Sequence, residues 1–494
     1  MKKIFLYVSV LMIGLAGCKK MAYFQTNPNA PSKAIPSSLL TSLERNLFIF
    51  SSISSNGTNE GDFYFAIASA LQYNVGFSNH SINTQSYQWA TNTMNEYLQI
   101  SDAAAMANAA GGNINYVALG KLFTAINYYS LTNKFGDVPA SQAVQLTSGQ
   151  RTPAYDAQKD VYRLILASLD TANNLLAQNQ GAISGDFIYN NNLGQWRKFV
   201  NSFRLRVILS LSNKTGDADL NPKALFAAVM NDPAKYPVFT ANGDNAQQVT
   251  NTVTPYVFYN NPEYVYYGLG KAFADSLVLF KDPRIVHWAN ITNAASVVGK
   301  SVYDYSAYAG LPADESNAVN TANAALSSPP NKNYFSQANY EPNLFMGWAE
   351  VNFIAAEGIV RGWWSGSATA EDYYIKGIRA SLSFYNIPSD TIDKYVAGPH
   401  VIYNPDAGLH QVLYQRFLAG VYNSGYEPYF TQRRTGDPAM AVAGPGIPGH
   451  KEPLRWQYPV SEYTLNSDNV KATVTKQYPS GDVITEKMWV LIPQ

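Results

Sequence analysis

Cys18 is the only cysteine in 494 residues. No disulfide can close within the chain, so the fold has to be held by packing and internal polar contacts. From residue 37 onward the pattern that could supply such packing is helical. Segments 38–53 and 62–73 form a first candidate helix pair, and 91–110 with 114–131 a second. In 114–131, Leu119, Leu122, Ile126 and Tyr129 recur at the spacing that puts them on one face. The third pair is 155–177 with 195–211. Val161, Leu164, Ile165, Ala172, Leu175 and Leu176 line one stripe, and Trp196, Phe199, Val200, Phe203, Val207 and Leu211 the other. The fourth is 344–361 with 368–385. Gly111-Gly112 and the stretch from Gly362 to Gly366 break two of the pairs.

Successive antiparallel helix pairs predict tetratricopeptide-like units. No clean 34-residue period backs them, so the expectation rests on pairing and not on self-similarity. Between the third and fourth pairs lie a Tyr-rich run, "TPYVFYNNPEYVYYG", and a Ser/Ala/Asn/Pro stretch over 311–332 that reads as a long loop. The tail after Asp390 is punctuated by Pro and Gly, and no segment has linker character. The expected fold is mostly α: four tetratricopeptide-like helix pairs packed against a loop-rich irregular remainder, in a single large domain over 37–494.

The place of the cysteine suggests its use. Lys2 and Lys3 precede an almost unbroken apolar run over 4–16, too short to span a bilayer comfortably but right for a secretory leader. Leu15-Ala16-Gly17-Cys18 resembles the lipobox of bacterial lipoproteins, in which the sulfur takes a diacylglycerol and the cysteine becomes the new N-terminus. The plain alternative is a secreted protein with a chance cysteine in its leader, and the absence of every other cysteine weighs against it. Residues 1–17 are then the signal peptide and 18–36 the lipidated N-terminus and its Pro- and Asn-rich tether. Three acyl chains, palmitate among the usual ones, exceed what stable anchoring needs.

Lys+Arg and Asp+Glu both number 35, and charged residues make up only 14%. That balance gives no electrostatic case for nucleic acid. Amides, hydroxyls and 35 tyrosines fill the polar role, a surface suited to neutral polyhydroxylated ligands. The five histidines (His80, His287, His400, His410, His450) have no metal-ligand spacing, and no nucleophile elbow, phosphate loop or dinucleotide fingerprint occurs. No metal and no cofactor is expected beyond the covalent lipid on Cys18. Glu350 and Glu357 are seven apart, hence on one helix face. They are expected to pair with distant arginines, Arg433 and Arg434 being the natural candidates, and not to act as catalytic carboxylates.

Several segments together resemble the SusD/RagB-like outer-membrane nutrient-binding lipoproteins, in the SusD-like branch. They are "NPNAPSKAIPSSLL", "KFGDVPAS", "KDPRI", "YAGLP", "WAEVNFIAAEGIVRGW" with "YYIKGIRASLSFY", "TQRRTGDP" and "LRWQYPVSEYTLN". In this order and behind a lipobox they span essentially the whole mature chain. The resemblance implies a protein that is not an enzyme. It implies a lipid-anchored, outward-facing position in the cell outer membrane, where the protein captures a nutrient, usually an oligosaccharide, for a SusC-like TonB-dependent barrel. Lys19-Lys20 stand where many surface-exported relatives carry acidic residues.

A capture site needs exposed rings and neutral donors on a concave surface. Two stretches offer them. Residues 72–89 hold Tyr73, Phe77, Tyr87 and Trp89 among asparagines and glutamines, and the Tyr-rich run holds Tyr256, Tyr259, Tyr264, Tyr266 and Tyr267, with Trp288 nearby in sequence. Each of these rings has a core alternative, and the alternating "YVYY" reads equally as a half-buried strand. The rival functions are peptide capture by the same architecture, a scaffold without a small ligand, and an anchored hydrolase. Trp363 and Trp364, in the turn of a helix pair, are assigned to packing or partner contact.

Overall fold

The computed structural model describes residues 34–48, 67–78, 93–145 and 149–494. The leader, Cys18, most of the tether and part of the first predicted pair lie outside them. The principal helices are α1 (Pro36–Phe48), α2 (Glu96–Asn108), α3 (Ile114–Phe135), α4 (Gln158–Ala177), α5 (Leu193–Ser210), α6 (Pro222–Asn231), α7 (Lys271–Phe280), α8 (Trp348–Val360), α9 (Ala370–Phe384), α10 (Ser389–Val396), α11 (Gly408–Ala419), α12 (Glu427–Thr435) and α13 (Ser467–Gln477). Strand is confined to two short antiparallel pairs. β1 (Asn74–Gly76) pairs with β3 (Tyr267–Leu269), and β2 (Ala246–Gln248) with β4 (Asn343–Met346). No helix among the described residues is long and apolar enough to cross a membrane.

Helices pack in sequence, α1 on α2, α2 on α3, α3 on α4 and α4 on α5, while α8 packs on both α9 and α11. The pairs predicted over 91–131, 155–211 and 344–385 are therefore present as pairs, and α3 packed on α4 fuses two of them into one stack. The stripe on α4 is as predicted in Val161, Ile165, Ala172 and Leu176, all buried, with Leu164 and Leu175 at its edges. On α5 all the predicted residues are buried. The close approach of α2 to α3 is bought by a small residue: a Cβ on Gly120 would stand 2.9 Å from the Ala103 carbonyl oxygen.

Boundaries differ where polar pairing outcompetes helix propensity. The predicted helix over 344–361 begins only at Trp348, because residues 343–346 pair with β2 and Ser424 N–H donates to the Leu344 carbonyl at 2.8 Å. The helix predicted from 155 starts at Gln158, since Asp156 forms a two-way backbone bridge with Val138 and its carboxylate takes the N–H groups of Ala140 and Ser141. The helix predicted from 368 starts at Ala370, fixed by a capping box between Thr369 and Asp372. In the first pair, residues 67–70 are helical, but the chain then turns into β1 instead of continuing through Tyr73.

The centre of the molecule is a buried chain of charges. Arg206 on α5 binds Glu350 on α8 through Nε at 2.9 Å and Nη2 at 2.6 Å. Arg416 on α11 bridges Glu350 at 3.0 Å and Glu427 on α12 at 2.9 Å. Arg434 on α12 binds both oxygens of Glu357, at 2.7 and 3.0 Å, and Arg361 Nε donates to the same carboxylate at 2.8 Å. Glu357 thus finds one of its expected partners. Arg433 does not take part; it donates to the carbonyls of Leu454 and Asn133 and packs over Phe430. Burial pushes the Glu357 carboxyl up, but Arg434, Arg361 and Arg416 outweigh it and hold it down at about 2.

A carboxyl at the edge of the stack behaves oppositely. Glu44, on the inner face of α1, is buried, and accepts the Phe187 N–H at 2.8 Å. Burial first, then the charge of Asp186, pushes it up to about 9.

Two stability predictions follow from these carboxyls. Glu357→Gln leaves Arg434 and Arg416 short of a buried counter-charge and should cost about 3–5 kcal/mol in chemical denaturation; a loss under about 1 kcal/mol would show that the arginines find other partners. For Glu44 the unfolded carboxyl ionises near 4.5 and the folded one near 9. The folded state then holds the proton over that window, and its stability falls as pH rises through it, by at most about 1.4 kcal/mol per unit. Glu44→Gln should remove this slope, so its denaturation midpoint should gain on the wild type between pH 5 and pH 8. A difference that stays constant with pH would rule the assignment out.

Candidate functional site

The two aromatic stretches singled out in the sequence meet in space. β1 and β3 align Asn74 with Leu269, Val75 with Gly268 and Gly76 with Tyr267. The pairing continues at both ends: Phe77 N–H donates to the Tyr266 carbonyl at 2.9 Å, and Gly270 N–H to the Tyr73 carbonyl at 2.9 Å. A third segment closes the clasp from the other side. Leu269 N–H donates to Ser328 at 2.9 Å, and Leu311 N–H to Leu269 at 2.8 Å. Only glycine fits where the backbones approach most closely, because a Cβ on Gly270 would overlap the Gln72 carbonyl oxygen.

The rings divide into two sets. Tyr73 is buried against Phe273 and Phe417 and donates to the Phe417 carbonyl at 2.6 Å. Tyr256 is buried and donates to the Tyr422 carbonyl at 3.0 Å; Tyr267 is buried in β3. Trp288 is wholly buried between Phe273, Tyr385 and the Arg284 guanidinium. These four are core residues, and the expectation that they offer a face to a ligand is corrected. Tyr73 and Tyr256 each place a buried hydroxyl on a backbone carbonyl, and Trp288 is held by packing among rings and a guanidinium.

The second set stays at the surface. Tyr266 is 37% exposed and Val265 beside it 51%. Phe77 is half-buried over Val75, Leu311 and Ala313. Tyr264 is half-buried and stacks on Phe335 at 4.3 Å, and Tyr259 is half-buried too. Tyr87, Trp89 and His80 lie outside the described residues, in the segment that follows Ser78.

Polar groups come to this edge from an unexpected source. Within the stretch read as a long loop, Asn317–Asn323 is a helix capped by the Ser316 hydroxyl, which accepts the Val319 N–H at 3.3 Å. Its Thr321 hydroxyl accepts the Ser78 N–H at 2.8 Å, and its Asn317 side chain donates to the Ser78 carbonyl. Asn317, Thr321 and Val265 were absent from the predicted set. The Ser-x-x pattern ahead of Val319 was the available signal for the capped helix. Thr321 also donates to the Asn317 amide oxygen at 3.2 Å, so the edge combines ring faces with an amide and a hydroxyl fixed in place by Ser78 and by each other.

The remaining histidines are engaged in packing or pairing. His287 lies 2.8 Å from Glu341 and stacks on Tyr340, His400 stacks on Phe280, and His410 contacts Asp437 at 2.8 Å. Among the described residues no group of three or more His, Cys, Asp or Glu could hold a metal ion.

Comparison with known proteins identifies the family and the fold. The family described as SusD-like_2, starch-binding associating with outer membrane, matches residues 28–459. A SusD homologue from Bacteroides fragilis NCTC 9343 is 31% identical, with 93% of this chain and 99% of that one covered and a TM-score of 0.81. A second SusD homologue from the same strain is 26% identical, with 92% and 99% covered and a TM-score of 0.84. A chitin-binding SusD homologue from Flavobacterium johnsoniae shares the fold at 18% identity, with 93% and 99% covered and a TM-score of 0.73. Comparison with curated protein sequences gave no match. The chain belongs to the SusD-like family of non-catalytic binding proteins associated with the outer membrane.

Proposed function

We propose that the protein captures neutral oligosaccharides at the outer face of the outer membrane and passes them to a SusC-like TonB-dependent barrel. The observation that carries the reading is the clasp of β1 and β3, which brings Phe77 and Tyr266 to one edge beside Asn317 and Thr321. Sugar rings present apolar C–H faces and a hydroxyl rim, and aromatic faces with neutral amides and hydroxyls complement both. Family membership supports the same reading, since the family is described as starch-binding and a relative of the same fold is described as chitin-binding.

In this proposal residues 1–17 are a leader removed on export and Cys18 carries the lipid. Residues 19–36 are the tether that lets the folded part move over the barrel. Cys18→Ser should then shift the protein from the membrane fraction to the soluble fraction of lysed cells; retention in the membrane would remove the lipid anchor from the proposal.

The capture step is tested on the lipid-free chain from Lys19 onward, titrated calorimetrically with malto-oligosaccharides and chitin oligosaccharides while cleavage products are monitored. Saccharide heat without products is expected. Tyr266→Ala should weaken binding about tenfold, on the order of 1.4 kcal/mol, and Phe77→Ala by a similar factor. Binding unchanged by both substitutions would place the sugar elsewhere, and released products would overturn the non-catalytic reading.

A further inference from the structure

A second concave site lies far along the chain from the aromatic edge, where α8 and α12 end and α11 begins. It is a cavity of about 450 Å³ lined by Asn213, Arg361, Asp406, His410, Thr435 and Asp437, with Leu409 and Leu413 as an apolar wall. That volume falls within the range of small-molecule sites. Its floor is the end of the buried charge chain. Here one carboxylate, Glu357, faces three guanidiniums: Arg434, Arg361 and, at 3.5 Å, Arg416. Arg416 is shared with Glu350 and Glu427, and the lining itself carries two guanidiniums, Arg361 and Arg434, against two carboxylates, Asp406 and Asp437.

Arg434 spends both terminal nitrogens on Glu357, so Arg361 is the lining guanidinium with donors to offer a ligand. Its Nε is spent on Glu357 at 2.8 Å, but neither Nη atom makes a hydrogen bond among the described residues, and its side chain is 22% exposed. A guanidinium with its two terminal N–H groups open matches a planar carboxylate. The rest of the rim is mixed. His410 holds both oxygens of Asp437 through Nδ1, at 2.9 and 2.8 Å, which leaves Nε2 without a partner among the described residues. The Asp406 side chain and the Asn213 amide oxygen are likewise unengaged there, while Asn213 Nδ2 donates to the Arg434 carbonyl at 3.2 Å. Two nearby carboxylates disfavour a dianion such as phosphate, yet they accept hydroxyl groups readily.

We infer that this cavity is a second ligand site, specific for an acidic sugar: its carboxylate is held by Arg361, and its hydroxyls by His410, Asp406 and Asn213. The site does not depend on the aromatic edge, so the two readings stand or fall separately. The test titrates the chain from Lys19 onward with digalacturonate, with the matching neutral disaccharide, and with an N-acetylated dipeptide bearing a free C-terminus. Digalacturonate should bind at least tenfold more tightly than either of the other two. R361Q should lose at least tenfold in digalacturonate affinity, while Y266A should leave that affinity unchanged. Because Arg361 also supports Glu357, a second variant is needed that folding tolerates: His410 is 62% exposed, and H410E sets a like charge at the rim. It should also cost tenfold or more toward digalacturonate. Absence of digalacturonate binding to the wild type would overturn the inference, as would full affinity in H410E. Equal affinity for the dipeptide would overturn the assignment to a sugar.

Discussion

Four helices of this protein are locked together by one buried string of charges. Glu350 and Glu357 project from α8 two turns apart, and each is met by an arginine from a different helix: Arg206 from α5, Arg416 from α11 and Arg434 from α12. Buried ion pairs add little net stability once desolvation is counted, since an apolar replacement could fill the same space. What they add is register. A bidentate contact to a carboxylate tolerates little sliding, so α5, α8, α11 and α12 have one way of packing instead of several. A chain without internal disulfides gains its uniqueness from such contacts. The loop-rich remainder is positioned by this frame, because the segments that follow α5 and precede α8 start and finish on helices whose positions are already fixed.

The helical stack was legible in the sequence because it obeys local rules. The stripes on α4 and α5 follow the helical period, and Gly111-Gly112 and Gly362 mark turns with positive φ. What periodicity could not reveal was competition from distant backbone. Residues 343–346 are apolar enough to extend α8 upstream, yet β2 claims them. The capped helix at 317–323 was hidden by a composition of Ser, Ala and Asn that reads as loop unless the Ser316 cap is weighed. Of the charged residues, Glu357 and Arg434 were matched correctly. Arg206 and Arg416 were overlooked because nothing in their local sequence distinguishes a buried arginine from a solvated one.

The candidate site was legible as two regions and illegible as individual rings. Both stretches contribute to one edge, but Tyr73, Tyr256, Tyr267 and Trp288 turned inward and Tyr266 and Phe77 did not. Tyr266 ends the short helical turn over Pro262–Tyr266 and stays exposed, whereas Tyr267 opens β3, all of whose residues are buried. For Tyr73 and Tyr256 the deciding factor is a single carbonyl acceptor supplied from α11 or from the turn that follows it. Such acceptors are tertiary facts that no window of sequence contains.

The β1–β3 clasp also orders events in time. One strand precedes the second helix pair and the other follows the third, so more than half the chain must be in place before the edge exists. Closing a loop of that length is entropically costly and slow. A partly translocated or truncated chain could form much of the α2–α5 stack and yet display no binding edge. If the edge is the capture site proposed above, recognition is withheld from an incomplete protein, and a bound sugar stabilises only molecules whose two distant strands have already met.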